Sequence, residues 1–151
     1  VSIVTRQEER MQIGALMRVH LVVARPDEPA AEAIRRMLAA NVGSVVVCED
    51  NVPVGIFTER DVLRLAGGGA DFEAVSLGTA MTPNPLTISA EDGILEAAQL
   101  MGERKLRHLP VVQDGNLAGM VSMRDVFGFL ADRLHAERDE TAADTARALR
   151  G

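Results

Sequence analysis

The sequence predicts an α+β fold built from two β-α-β-β-α units packed against each other. Three observations carry this: a repeat at a fixed offset, apolar runs that switch between strand and helix spacing, and a glycine-rich break between the halves. Adding 64 to a residue number superposes the halves without a gap. Gly14 falls on Gly78, Met17 on Met81, Glu32 on Glu96, Ala33 on Ala97 and Met37 on Met101. Val47 falls on Val111, Asp50 on Asp114 and Gly55 on Gly119, and Arg60-Asp61-Val62 falls on Arg124-Asp125-Val126.

Each unit reads strand, helix, strand, strand, helix. The first strand is expected at Leu21 to Ala24, matched by Leu86 to Ile88. A helix follows, with Asp27 as its N-cap and Pro29 in the first turn, where no intrahelical donor is needed. Its apolar stripe is Ala30, Ala33, Ile34 and Met37; the second copy gives Ile94, Ala97, Ala98 and Met101. An apolar run, Val45-Val46-Val47, is answered by Leu109-Pro110-Val111-Val112. The turn Glu49-Asp50-Asn51 leads to a strand ending at Phe57, and Asp114-Gly115 is a hairpin signal because both residues tolerate positive φ. The last helix begins near Glu59 or Met123.

One such unit, roughly 55 residues, has a thin core, so the two are expected to pack together. Gly67-Gly68-Gly69 and the polar stretch to Glu73 mark the linker. The organisation is therefore an N-terminal segment 1–13, repeat 14–68, linker 69–77, repeat 78–134 and a helical or disordered tail 135–151.

The composition is that of a globular protein, 47% hydrophobic and 25% charged. A net charge of −6 disfavours a nucleic-acid or anionic-membrane partner. One cysteine, Cys48, excludes an internal disulfide and fits a reducing cytoplasm. No apolar run approaches the roughly 18 residues that span a bilayer, and Val1 to Gln12 carries charges in place of an apolar signal core.

The sharpest local signal is Gly55-Ile56-Phe57-Thr58-Glu59-Arg60-Asp61, repeated as Gly119-Met120-Val121-Ser122-Met123-Arg124-Asp125. One reading is a capping box, with Thr58 or Ser122 as N-cap and the aspartate three residues on closing it. The other is a ligand site. A helix N-terminus offers N–H groups and a positive dipole end to a phosphate. The hydroxyl adds a donor, the arginine a charge, and the aspartate a carboxylate for both hydroxyls of a ribose. The glycine three residues before the hydroxyl would let the backbone approach closely. A cap alone needs neither that glycine nor that arginine.

These two segments, together with Met-Thr-Pro-Asn-Pro-Leu-Thr at 81–87 and Arg107-His108-Leu109-Pro110-Val111-Val112, resemble the CBS-domain family, named for cystathionine β-synthase. Members occur as tandem pairs called Bateman modules, and the resemblance covers roughly residues 14 to 134. It implies a pseudo-twofold pair with a nucleotide cleft on each side of the interface. The first cleft would combine Thr58, Arg60 and Asp61 with Thr87, Arg107, His108 and Pro110. The second would combine Ser122, Arg124 and Asp125 with Val23, Ser44 and Val46. Gly43-Ser44-Val45-Val46 stands there in place of Arg107-His108-Leu109-Pro110, so a phosphate-facing cation is expected to be missing from the second cleft. The Asp61 cleft is favoured.

The resemblance implies AMP, ADP or ATP as ligand, with NAD or S-adenosylmethionine as further choices, and a flat homodimer of two modules. The dimer is expected to use helix faces at Ala30–Met37, Ile94–Met101 or the terminal helices. The regulated effector protein is not specified. His20, His108 and His135 lack metal-ligand spacing, and the Gly67 triplet lacks the Lys-Ser/Thr of a P-loop. No nucleophile, base and orienting residue line up, so no enzyme and no catalytic cofactor is expected. A structural dimerisation module that binds nothing is the rival reading.

Overall fold

The computed structural model describes residues 11–150; the reading of the first ten residues as free of an export signal concerns residues outside this range. The elements are β1 (Val23–Ala24), α1 (Ala30–Ala40), β2 (Ser44–Glu49), β3 (Val52–Thr58), α2 (Glu59–Gly67), α3 (Leu77–Ala80), β4 (Thr82–Pro83), β5 (Ile88–Ser89), α4 (Ile94–Arg104), β6 (His108–Gln113), β7 (Asn116–Ser122) and α5 (Met123–Ala148). They form two small sheets, ordered β1-β2-β3-β4 and β5-β6-β7. β1 runs parallel to β2 and β5 to β6, whereas β2–β3 and β6–β7 are antiparallel hairpins.

The repeat is visible at the level of single hydrogen-bonded pairs. Val47 lies opposite Gly55 as Val111 lies opposite Gly119, and each hairpin shifts register at the next residue. Two successive residues with positive φ close each hairpin, Asp50 and Asn51 in one, Asp114 and Gly115 in the other. That backbone twist suits a two-residue turn between right-twisted strands.

The apolar stripes of α1 and α4 are buried at Ala30, Ala33 and Met37 and at Ile94, Ala97 and Met101. The start of α1 differs from expectation. Asp27 does not cap it; its carboxylate pairs with Arg25, and Pro29 holds the cap position with no side-chain bond. The first amides instead donate to the chain beyond α2: Ala30 N to Val75 O and Ala31 N to Phe72 O, both at 2.9 Å. Those carbonyls satisfy donors that a capping side chain would otherwise take. The acid that shapes the preceding turn is Glu28, accepting from Arg25 N at 2.7 Å, as Asp92 accepts from Ser89 N at 2.9 Å in the second half. The first strands are also shorter than expected, two residues each, and the second begins at Ile88; Leu21, ahead of β1, packs against Val46, Cys48 and Met120 between the halves.

The segment that leads into each unit packs on the other unit. Ile13, fully buried, belongs to the core of Ile88, Ile94, Met101, Leu109 and Val121, with Met17 beside it. Leu77 and Ala80, equally buried, belong to the core of Ala30, Met37, Val45 and Phe57, with Met81 beside them. Matching backbone bonds hold the two crossings, Gly14 N to Ala90 O at 2.8 Å and Gly78 N to Pro26 O at 2.9 Å. The chain between α2 and α3 is therefore packed, with Phe72 and Val75 on the first core. Beyond Leu130, α5 runs on for about five more turns with its surface largely exposed.

Candidate functional site

Two clefts open between the halves, each at the N-terminus of a hydroxyl-capped helix. In α2 the Thr58 hydroxyl accepts from Asp61 N at 3.4 Å, and Thr58 N donates to Asp61 Oδ2 at 2.9 Å. In α5 the Ser122 hydroxyl accepts from Asp125 N at 3.1 Å, and Ser122 N donates to Asp125 Oδ2 at 3.2 Å. Both are complete capping boxes. Glu59 N donates to Gly43 O at 3.1 Å and Met123 N to Arg107 O at 2.8 Å. Two of the first three amides of each helix thus already have acceptors, so the expectation of a free N-terminus reduces to a narrower one.

The Asp61 cleft encloses about 730 Å³ and the Asp125 cleft about 440 Å³, both in the size range of small-molecule sites. The first gathers Thr58, Arg60, Asp61, Arg107 and His108 with the Pro83–Leu86 segment. Thr87 and Pro110 are not on its wall: Pro85 and Leu86 hold the place expected for Thr87, and Pro110 is buried opposite Met120 in the β6–β7 hairpin. The second gathers Ser44, Val46, Ser122, Arg124 and Asp125. Val23 stays outside it, and Leu21 and Val22 provide that wall.

The expected lack of a cation in the second cleft is overturned. Arg18 and Arg107 both line it, and Arg18 Nη2 lies 2.9 Å from Asp125 Oδ1. Arg107, His108 and Gly43 face both clefts. The sequence reading missed Arg18 because its partner is 107 residues away. The 64-residue offset does place it on Thr82, inside the stretch 81–87 already marked.

Electrostatics follow from these neighbours. Burial pushes the Asp125 carboxyl up, but hydrogen bonds from Ser122 and Arg18 outweigh it and hold it below the usual carboxylate range. Burial pushes the His108 imidazole down, with Asp125 and Glu59 opposing and Arg107 and Arg18 reinforcing. His108 is therefore a neutral hydrogen-bonding group near pH 7. Asp61, 6% exposed, also receives the Thr82 hydroxyl and Arg64, each at 3.3 Å from Oδ1.

The glycines that recur in the two halves have a packing cause. A Cβ on Gly55 would collide with Met81 Sδ, and one on Gly119 would lie 2.7 Å from Met17 Sδ and 2.8 Å from Arg18 O. The expectation that these glycines admit a ligand is corrected: they admit the crossing segment of the other half. Cys48 is buried in the seam between the halves, and burial raises its thiol pKa. Among the described residues no group of three or more His, Cys, Asp or Glu is placed to hold a metal ion. No helix there is long and apolar enough to cross a membrane.

The family described as CBS domain matches twice, at residues 13–68 and 75–132. A mitochondrial CBS domain-containing protein of Arabidopsis thaliana, CBSX3, is 35% identical over 120 residues. A protein of Methanopyrus kandleri is 33% identical over 119 residues. These alignments take in 76% and 77% of the chain but 57% and 61% of the relatives, so the chain spans less than two thirds of their length. The crystal structure of CBSX2 in complex with AMP has a TM-score of 0.71 at 27% identity, covering 80% of this chain and 96% of that one. A CBS domain protein of Pyrobaculum aerophilum complexed with AMP has a TM-score of 0.71 at 25% identity, covering 76% and 89%.

Proposed function

The chain belongs to the CBS-domain family, and on that footing we propose that it is a regulatory module that binds an adenine nucleotide, AMP in the first instance, in the Asp61 cleft. The observation that carries this is the convergence of Thr58, Asp61, Arg60 and Arg107 from both halves on one cleft of about 730 Å³. Asp61, almost fully buried in the wall, offers its carboxylate to a ribose, while Arg60 and Arg107 offer charge to a phosphate. The two similar chains that hold AMP support the choice of ligand. Binding between the halves would bias how they meet, and so report nucleotide level to an effector. Such coupling requires that the ligand prefer one arrangement of the halves. The family supports a regulatory role, and the lone buried thiol of Cys48 fits the cytoplasm.

The rival is a dimerisation module whose motifs serve only as caps. It draws on the closed capping boxes, which already satisfy both aspartates. Titration calorimetry with AMP on wild type, Asp61→Ala and Asp125→Ala separates the two. Both substitutions remove the same capping carboxylate and should cost similar stability, about 0.5–2 kcal/mol. Asp61→Ala should also weaken AMP by about tenfold to a hundredfold, the equivalent of about 1.5–3 kcal/mol for a charge-assisted hydrogen bond. Asp125→Ala should leave AMP binding close to wild type, because Arg18 already engages that carboxylate. Equal losses in the two variants would refute the ranking of clefts. Wild type that binds no AMP, ADP, ATP, NAD or S-adenosylmethionine would establish the rival.

A further inference from the structure

Arg18 and Thr82 stand at the same place in the two halves, 64 residues apart, and differ in chemistry. Arg18 bridges to Met120 as Thr82 pairs with Ile56, so their backbones share one position against β7 and β3. Each side chain reaches the Oδ1 of the aspartate it faces. Thr82 Oγ1 lies 3.3 Å from Asp61; Arg18 Nη2 and Nε lie 2.9 and 3.2 Å from Asp125. A hydroxyl turns aside readily when a ligand hydroxyl arrives. A guanidinium with two donors on one carboxylate does not, because its departure strips a charge-assisted pair.

The walls differ in charge as well. Arg18, Arg107 and Arg124 line the Asp125 cleft against the single carboxylate of Asp125. Arg60, Lys105 and Arg107 line the Asp61 cleft against Glu59 and Asp61. Two of the five N–H donors of Arg18 are used on Asp125, so three remain for a ligand. The Asp125 cleft is also the smaller of the two.

We propose that Arg18 sets the two clefts apart: it withholds the Asp125 cleft from a ribose and makes it a site for a compact phosphate anion of the inorganic pyrophosphate class. Adenine nucleotide is then left to the Asp61 cleft. That half of the assignment rests on the function proposed above, whereas the anion half stands on the charges of the Asp125 cleft alone.

Calorimetric titration of the full chain with AMP, with pyrophosphate, and with each after saturation by the other tests this. Wild type should take one AMP per chain, and pyrophosphate should still bind AMP-saturated protein, though more weakly than free protein because both clefts draw on Arg107. Arg18→Thr, which copies Thr82, should admit a second AMP and weaken pyrophosphate by about tenfold or more, about 1.4 kcal/mol. Arg18→Gln, which keeps donors but not the charge, should weaken pyrophosphate without admitting AMP fully. The Arg18 side chain is 63% exposed, so neither variant threatens the core. Two AMP sites of like affinity in wild type would overturn the proposal, as would complete mutual exclusion of AMP and pyrophosphate or an unchanged pyrophosphate affinity in Arg18→Thr. Wild type that binds pyrophosphate with Arg18-dependent affinity but takes no AMP would sink the nucleotide reading and uphold the anion site.

Discussion

A methyl group at Gly55 or Gly119 would collide with the segment that crosses from the other half, but the two collisions are unlike. At Gly55 the atoms in the way are the Sδ, Cγ and Cε of Met81, all on a flexible side chain. At Gly119 they include the Arg18 carbonyl oxygen at 2.8 Å, which the antiparallel bridge to Met120 fixes. Overpacking of this kind costs about 1–3 kcal/mol. Gly119→Ala should therefore fall at the costly end and Gly55→Ala at the mild end, as read by urea unfolding. In double-mutant cycles, trimming Met81 to Ala should recover most of the Gly55→Ala cost, while trimming Met17 should leave much of the Gly119→Ala cost in place. Full recovery in both cycles would show that the carbonyl does not matter. The glycines, the methionines, and the hydroxyl-to-aspartate spacing were all legible in the sequence, because the repeat or a local capping pattern announces them. The reason for the glycines was not, since the colliding atoms lie far along the chain. Arg18 was hidden for the same cause.

At the scale of elements, the hairpins and the buried faces of α1 and α4 follow from patterns a few residues long, and they stand where periodicity put them. Asp27 was misread because the donors it should have capped are taken by carbonyls of Phe72 and Val75, which no local rule places there. Likewise periodicity does not say which core receives the turn ahead of each strand. Here the halves exchange them: Ile13 fills the second core and Leu77 the first. Ile13→Ala should cost about 2–5 kcal/mol, and the damage should appear in the half that follows it last in the chain. Hydrogen exchange should show β6 and β7 losing more protection than β2 and β3, with the pattern reversed in Leu77→Ala. Exchange that rises uniformly in both variants would mean that the two cores open only together.

At the scale of the whole molecule, two of the three faces first expected to form a dimer, those of α1 and α4, are consumed in folding. Ala30, Ala33, Met37, Ile94, Ala97 and Met101 lie in the two cores, with no more than 6% exposure. The third, the terminal helices of the two units, keeps apolar residues outside. Leu63 on α2 is 73% exposed and Phe127 on α5 is 63% exposed, and these are equivalent positions at the 64-residue offset. Leu38, at 77%, adjoins Leu63 across a groove floored by Ile34, Met37 and Val62. Both halves thus turn an apolar residue of the same helix outward, and near-twofold placement of two patches suits a closed dimer in which each patch meets its counterpart. We accordingly propose a homodimer through the outer faces of α2 and α5. Light scattering at micromolar concentration should give twice the chain mass of 16.2 kDa. The melting temperature should rise with protein concentration, because association draws on the folded state alone. Leu63→Glu together with Phe127→Glu should halve the mass and abolish that concentration dependence, at little cost to the cores, since neither residue is part of one. A wild type near 16.2 kDa would end the proposal, and an intact dimer in the double variant would move the interface to the exposed remainder of α5, where Leu134 is 60% exposed.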